Sequence, residues 1–189
     1  PAAPPPAGAG RMLQQLESES WIQQAEALHY LGEHRVELAA DDVRALLNDK
    51  TVHSWIRGRA LLALSQIENG VDPGEFGKWV AHDQGALRAA AAEVLELHGG
   101  NSATTWIDIL LKDADPAVKC HAAAAHARRK KEAAWTVVDQ LTATPVPTSA
   151  RASARALAFT GNEVALTHHR QVAAHKNRIG ADPADDKLI

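Results

Sequence analysis

Cysteine, methionine and most aromatic side chains are scarce in this chain of 189 residues, which has one Cys, one Met, one Tyr and two Phe beside five Trp. A lone Cys120 excludes an internal disulfide and any Cys-x-x-Cys motif, so cysteine chemistry does not organise the fold and leaves the compartment open. No run approaches the roughly 20 continuous apolar residues that a membrane helix needs, so no membrane insertion by this chain is expected. The opening residues also lack the apolar stretch of a signal peptide. Alternation of Val, Ile and Thr at strand spacing is missing, which argues against a sheet. There is no phosphate-cradling Gly loop, no Gly-x-Ser-x-Gly and no carboxylate pair in a recognisable catalytic frame.

What is present is a chain that is 46% apolar and rich in Ala, with a helix-start signature that returns every 31 or 32 residues. It runs Ile56-Arg57 then Ala60, Leu87-Arg88 then Ala91, Val118-Lys119 then Ala122, and Ala150-Arg151 then Ala154. Self-similarity at this period predicts an array of helix pairs that share one continuous core and leave their side surfaces free.

Breakers delimit the helices. Asp41-Asp42 cap a short helix with Val43, Leu46 and Leu47 that closes at Asn48-Asp49; the next helix starts near Thr51 and ends at Asn69-Gly70, where the glycine is expected to take the left-handed cap. Asp72-Pro73 opens a helix with Phe76, Trp79 and Val80, followed by a partner from about Gln84 to His98. Ser102 caps Trp106, Ile107, Leu110 and Leu111, and Asp115-Pro116 starts the helix of Val118, Ala122 and Ala125. Further helices are read around Trp135 to Leu141, from Ala150 to Phe159 after a proline break, and from Val164 to Arg178. Glu19-Ser20-Trp21-Ile22 echoes His53-Ser54-Trp55-Ile56 at a spacing of 34 and reads as a half unit or degenerate cap. Residues 1–16 read as a Pro/Ala-rich linker to something upstream, 17–178 as the array and 179–189 as a polar tail.

The Asp-containing turn, the apolar-Arg/Lys pair and the Ala three residues on, clearest from Leu110 through Ala122, resemble HEAT-like repeats of the phycobilisome-lyase type. The match spans roughly residues 41 to 160, with two extra residues at Asp49 to Ile56 and prolines in place of the Asp turn at Thr142 to Ala150. The resemblance implies an all-α fold, a right-handed α-solenoid of about five helix pairs. It also implies that the basic ladder Arg57, Arg88, Lys119 and Arg151 pairs with Asp residues of neighbouring turns, the candidates being Asp49, Asp83, Asp113 and Asp115. Proteins with similar repeats serve as scaffolds, lyases, hydroxylases and glycosylases, so architecture alone does not select an activity. The paired His-Glu dipeptides of the iron hydroxylases are absent.

Charge is unevenly spread. Residues 1–116 hold 9 Lys/Arg against 17 Asp/Glu, whereas residues 117–178 hold 10 against 3. An acidic protein partner is therefore expected at the C-terminal half, on Arg128, Arg129, Lys130, Lys131 and Arg155, with Arg170, Lys176 and Arg178 nearby; opposite-signed halves would also suit head-to-tail association. Nucleic acid is not favoured. Among the ten histidines, Cys120, His121 and His126 do not share a helix side, since adjacent residues point about 100 degrees apart. His168 or His169 with His175 is the better-spaced pair, and no metal or cofactor is expected. Trp21, Trp55, Trp79, Trp106 and Trp135 fall at apolar helix positions and are expected to pack. The resulting expectation is a non-catalytic protein-interaction or assembly scaffold within a larger, bacterial-style protein. The alternative is a HEAT-repeat enzyme such as a chromophore lyase-like module or a DNA-repair glycosylase.

Overall fold

The computed structural model of the protein describes residues 5–70, 72–98 and 103–129. Among the described residues are eight α-helices, one 3₁₀ turn and no strand. The helices are α1 (Ala9–Leu16), α2 (Trp21–Glu33), α3 (Ala40–Asn48), α4 (Ser54–Ile67), α5 (Pro73–Val80), α6 (Gly85–His98), α7 (Ala103–Leu110) and α8 (Pro116–Arg129), with the 3₁₀ turn Glu37–Ala39 leading into α3. Short and long members alternate: α1, α3, α5 and α7 have 8, 9, 8 and 8 residues, while α2, α4, α6 and α8 have 13, 14, 14 and 14. Each short helix packs on the long helix that follows it, and each long helix packs on the next long one. The helices read around Trp135, Ala150 and Val164 lie outside the described residues.

Local chemistry explains the boundaries. Asp72 accepts a hydrogen bond from the Gly74 amide at 2.8 Å, and Asp115 accepts one from Ala117 at 2.8 Å, each just before a proline whose fixed φ suits a first helical turn. At the start of α4 a histidine takes the same post, His53 Nδ1 accepting from the Trp55 amide at 3.2 Å. That helix begins at Ser54 rather than near Thr51, because Thr51 donates its amide and hydroxyl to Asp49 at 2.8 and 2.7 Å and holds the two extra residues in a side-chain-closed turn. At its other end Asn69, with φ 55°, takes the left-handed position expected of Gly70, and the Gly70 amide reaches back to Ser65 O at 2.8 Å. Helix α2 stops in the same way at Arg35, with φ 49° and the Val36 amide on Leu31 O at 2.9 Å.

The expected half unit at the N-terminus is a full helix pair. Inside the segment read as a linker, α1 packs on α2, burying Ala9 and Leu16, with Met12 and Leu13 against the same core. Tyr30 of α2 fastens its entry by donating to Ala7 O at 2.6 Å.

One core runs through the long helices and includes Leu28, Leu31, Ile56, Ala60, Leu61, Leu87, Ala91, Val94, Ile107, Val118 and Ala122. Helix α4 lies between α2, α3 and α6 and is buried around most of its girth. Two glycines let the long helices approach closely. A Cβ on Gly32 would lie 2.9 Å from Ala63 Cα, and one on Gly58 would lie 3.0 Å from Ala86 O. No helix among the described residues is long and apolar enough to cross a membrane.

Candidate functional site

Three features could meet other molecules: the turns that join successive helix pairs, the grooves beside α3, and an exposed tryptophan pair.

Arg57 and Arg88 occupy the same position in α4 and α6, and each spans two turns. Arg57 is 5% exposed; it donates through Nε to Leu47 O at 2.9 Å, at the end of its own short helix, and through Nη1 to Gln84 Oε1 at 3.2 Å, before α6. Arg88 donates through Nη1 to His82 O at 2.7 Å and Asp83 O at 2.9 Å in its own turn. It then forks onto Asp113 of the next turn, Nε to Oδ2 at 2.6 Å and Nη2 to Oδ1 at 3.0 Å. Planar two-point pairing of this kind is the strong form of an ion pair. The fork holds the Asp113 carboxyl below its ordinary pKa, with the Asp115 amide helping against desolvation, and raises that of Arg88.

Of the carboxylates named as partners for the ladder, Asp113 alone meets a ladder arginine through its side chain among the described residues. Asp49 is bonded to Thr51, and its pKa is lowered chiefly by that contact. Asp83 offers Arg88 its carbonyl, and Asp115 caps α8. Lys119 sits one turn into α8 with its amide on Asp115 O at 3.1 Å, and its charge helps lower Asp113. Arg151 lies outside the described residues.

Between the two arginines sits His82, whose ring stacks on Trp79 with centroids 5.9 Å apart. Its Nδ1 is 3.1 Å from the Gln84 amide and 2.7 Å from Asp83 Oδ1. The first contact needs a bare nitrogen and the second a protonated one. Desolvation, with Arg57, Arg88 and Lys50 behind it, outweighs Asp83 and lowers the His82 pKa, so the neutral ring that accepts from Gln84 is favoured.

A second polar link crosses the long helices. Glu93 of α6 receives Arg59 of α4 on Oε2 at 3.2 Å and faces His121 of α8 across 3.4 Å from Oε1. Cys120 next to it is buried with Ala123 and Leu111, and desolvation raises its thiol pKa. No three His, Cys, Asp or Glu side chains gather to hold a metal among the described residues. His168, His169 and His175 lie outside them.

Two grooves of about 310 Å³ flank α3. The one toward α5 is floored by Leu61, Leu64 and Phe76 and rimmed by charges of both signs. Arg44 there is bonded to Asp41 and Glu68, while Lys78 bonds Glu75 at 3.1 Å and lies over the Trp79 ring at 5.0 Å. The groove toward α1 is floored by Leu13, Leu16 and Leu46 and rimmed by Glu17, Asp42 and Asp49.

The tryptophans divide. Trp79 is buried and Trp106 packs partly buried, with a Cβ on Gly77 lying 3.1 Å from its ring. Trp21 and Trp55, expected to pack inside, are 59% and 43% exposed and meet edge-to-face at 5.6 Å. Both stand in the first turn of a long helix, on a side that the neighbouring helices leave exposed. Trp135 and the basic residues Lys130, Lys131 and Arg155 lie outside the described residues. Arg128 and Arg129 are the last residues of α8.

Helices, turns and core together define an all-helical fold among the described residues. Compared with known proteins, the chain matches no family model and no curated protein.

Proposed function

We propose that this chain is a non-catalytic protein-interaction or assembly module. In this reading it is an α-solenoid of HEAT-like helix pairs whose basic C-terminal half, from Arg128, Arg129, Lys130 and Lys131 to Arg155, holds an acidic protein partner. The observation that carries the reading is the row α2, α4, α6, α8, in which every long helix packs on the next and carries its own short helix. A row of this kind spends its apolar residues along the middle and leaves both edges and both ends to other molecules.

The ladder supports the same division. Arg57 and Arg88 are consumed in joining successive pairs and are not offered to a partner. A partner held by the basic C-terminal half binds through long-range attraction that salt screens.

Affinity capture from the source organism with the parent protein tagged, in low and in high salt, tests the reading. A stoichiometric acidic protein that is released by salt is the expected result. Recovery of DNA or of a pigment in its place would overturn it in favour of the enzyme readings.

A further inference from the structure

The two grooves beside α3 have equal volumes but differently charged rims. In the groove toward α5, both cations are already matched by carboxylates of the same rim. In the groove toward α1, the rim consists of Glu17, Asp42 and Asp49, and no basic side chain among the described residues lines it. Asp49 is fixed by Thr51 in its ionised form. An apolar floor of Leu13, Leu16 and Leu46 beneath three carboxylates complements a lysine or arginine, whose alkyl stem packs on hydrocarbon while its head reaches the charges. It repels anions.

The sequence itself contains a matching cationic run. Arg128-Arg129-Lys130-Lys131 is its densest cationic run, in a region with 10 Lys/Arg against 3 Asp/Glu. Helix α8 ends at Arg129, and α4 and α6 stand between it and the α1–α2 pair. At about 8–10 Å per helix-to-helix step, the end of the row is roughly 25–30 Å from its start. The described end of α8 is therefore remote from the chain's own α1–α3 groove.

We propose that the α1–α3 groove is the docking site for the Arg128–Lys131 run of a second copy of this chain, so that copies associate head to tail. The proposal rests on the reading of the basic half as a docking end and names its partner. Because such a contact joins two different surfaces, every added copy presents a fresh groove and a fresh basic end, and assembly stays open unless the rotation closes a ring.

Sedimentation velocity of the full chain tests this. Wild type is expected to form concentration-dependent assemblies in about 20 mM salt that weaken at least about tenfold in about 500 mM salt. Glu17→Lys with Asp42→Lys is expected to give monomers with unchanged helicity, as is Glu substitution of Arg128, Arg129, Lys130 and Lys131. An equimolar mixture of the two variants should associate again, through the intact groove of one and the intact basic run of the other. The milder Glu17→Gln with Asp42→Asn guards against a folding defect and should weaken association by about tenfold. A wild type that stays monomeric at about 100 µM in low salt would overturn the proposal. So would association that survives reversal of Glu17 and Asp42. If that survivor is nonetheless lost on reversal of the basic run, the groove is wrong while the basic end still docks elsewhere.

Discussion

Arg57 and Arg88 stand at the same point of successive long helices and each joins its own pair to the next, yet they do so with different chemistry. Arg57 is buried on a carbonyl and an amide, both neutral. Arg88 forks onto a carboxylate. The helix packing is thus compatible with either solution, and what differs is the response to solvent conditions. The Arg57 joint is sensitive to loss of its donors, whereas the Arg88 joint is also sensitive to pH. Sequence spacing aligned the two residues but did not distinguish them.

The largest effect should come from the core that both joints serve. Ala91 of α6 is fully buried, and Ala91→Asp places an unpaired carboxylate among packed helices, which should cost about 4 kcal/mol or more and unfold the described helices. A cooperative thermal melt of that variant near the wild-type temperature would mean that the core register is wrong.

Next comes Arg57→Ala, which strips hydrogen bonds from Leu47 O and Gln84 and empties a buried stem; chemical denaturation should register a loss of about 2–3 kcal/mol. Neither acceptor titrates between about pH 7 and 3, so the pH dependence of this loss should be confined to His82 and Asp49, whose pKa values Arg57 helps to lower, and the loss should shrink slightly as pH falls.

Asp113→Asn should cost less at neutral pH, about 1–2 kcal/mol, but with a distinct pH profile. The fork lowers the Asp113 pKa, so the stability it contributes is present above the unfolded value of about 3.9 and is lost as pH falls through the folded value. Denaturation midpoints of wild type and variant should converge below about pH 4; parallel curves would remove Asp113 as the titrating partner of Arg88.

His82→Asn is expected to have a small effect. The lowered His82 pKa means that its contribution is present above the unfolded value of about 6.5 and is lost as pH falls through it toward the folded value. Asparagine keeps an acceptor for the Gln84 amide without a proton to gain, so the variant should lose less stability than wild type between about pH 7 and 5.

The parts of this architecture that depend on local chemistry were legible in the sequence. Asp72-Pro73 and Asp115-Pro116 announce α5 and α8 because a short acceptor and a fixed φ are what a first turn needs. Helix α1 escaped notice because Pro, Ala and Gly dominate the first ten residues, although Met12, Leu13 and Leu16 already carry a helical spacing. The capping role of His53 and the turn-closing role of His82 were missed since imidazole is not an expected acceptor there, and its Nδ1 serves only in the neutral tautomer. Exposure of Trp21 and Trp55 depends on which side of each first turn the neighbouring helices cover, which periodicity does not report. The grooves beside α3 exist only once α1, α3 and α5 are set on the long helices, so their contrasting rims are a tertiary property.

In the proposed function the arginine ladder holds the helix pairs together while the basic C-terminal half meets the partner. Capture of the partner by the full chain, with melting temperature measured on the same samples, sets Arg88→Gln against Glu substitution of Arg128, Arg129, Lys130 and Lys131. The account predicts that Arg88→Gln melts lower but retains the partner, and that the fourfold variant melts as wild type and loses it. A fourfold variant that still captures the partner, or an Arg88→Gln that loses it while melting normally, would contradict the account.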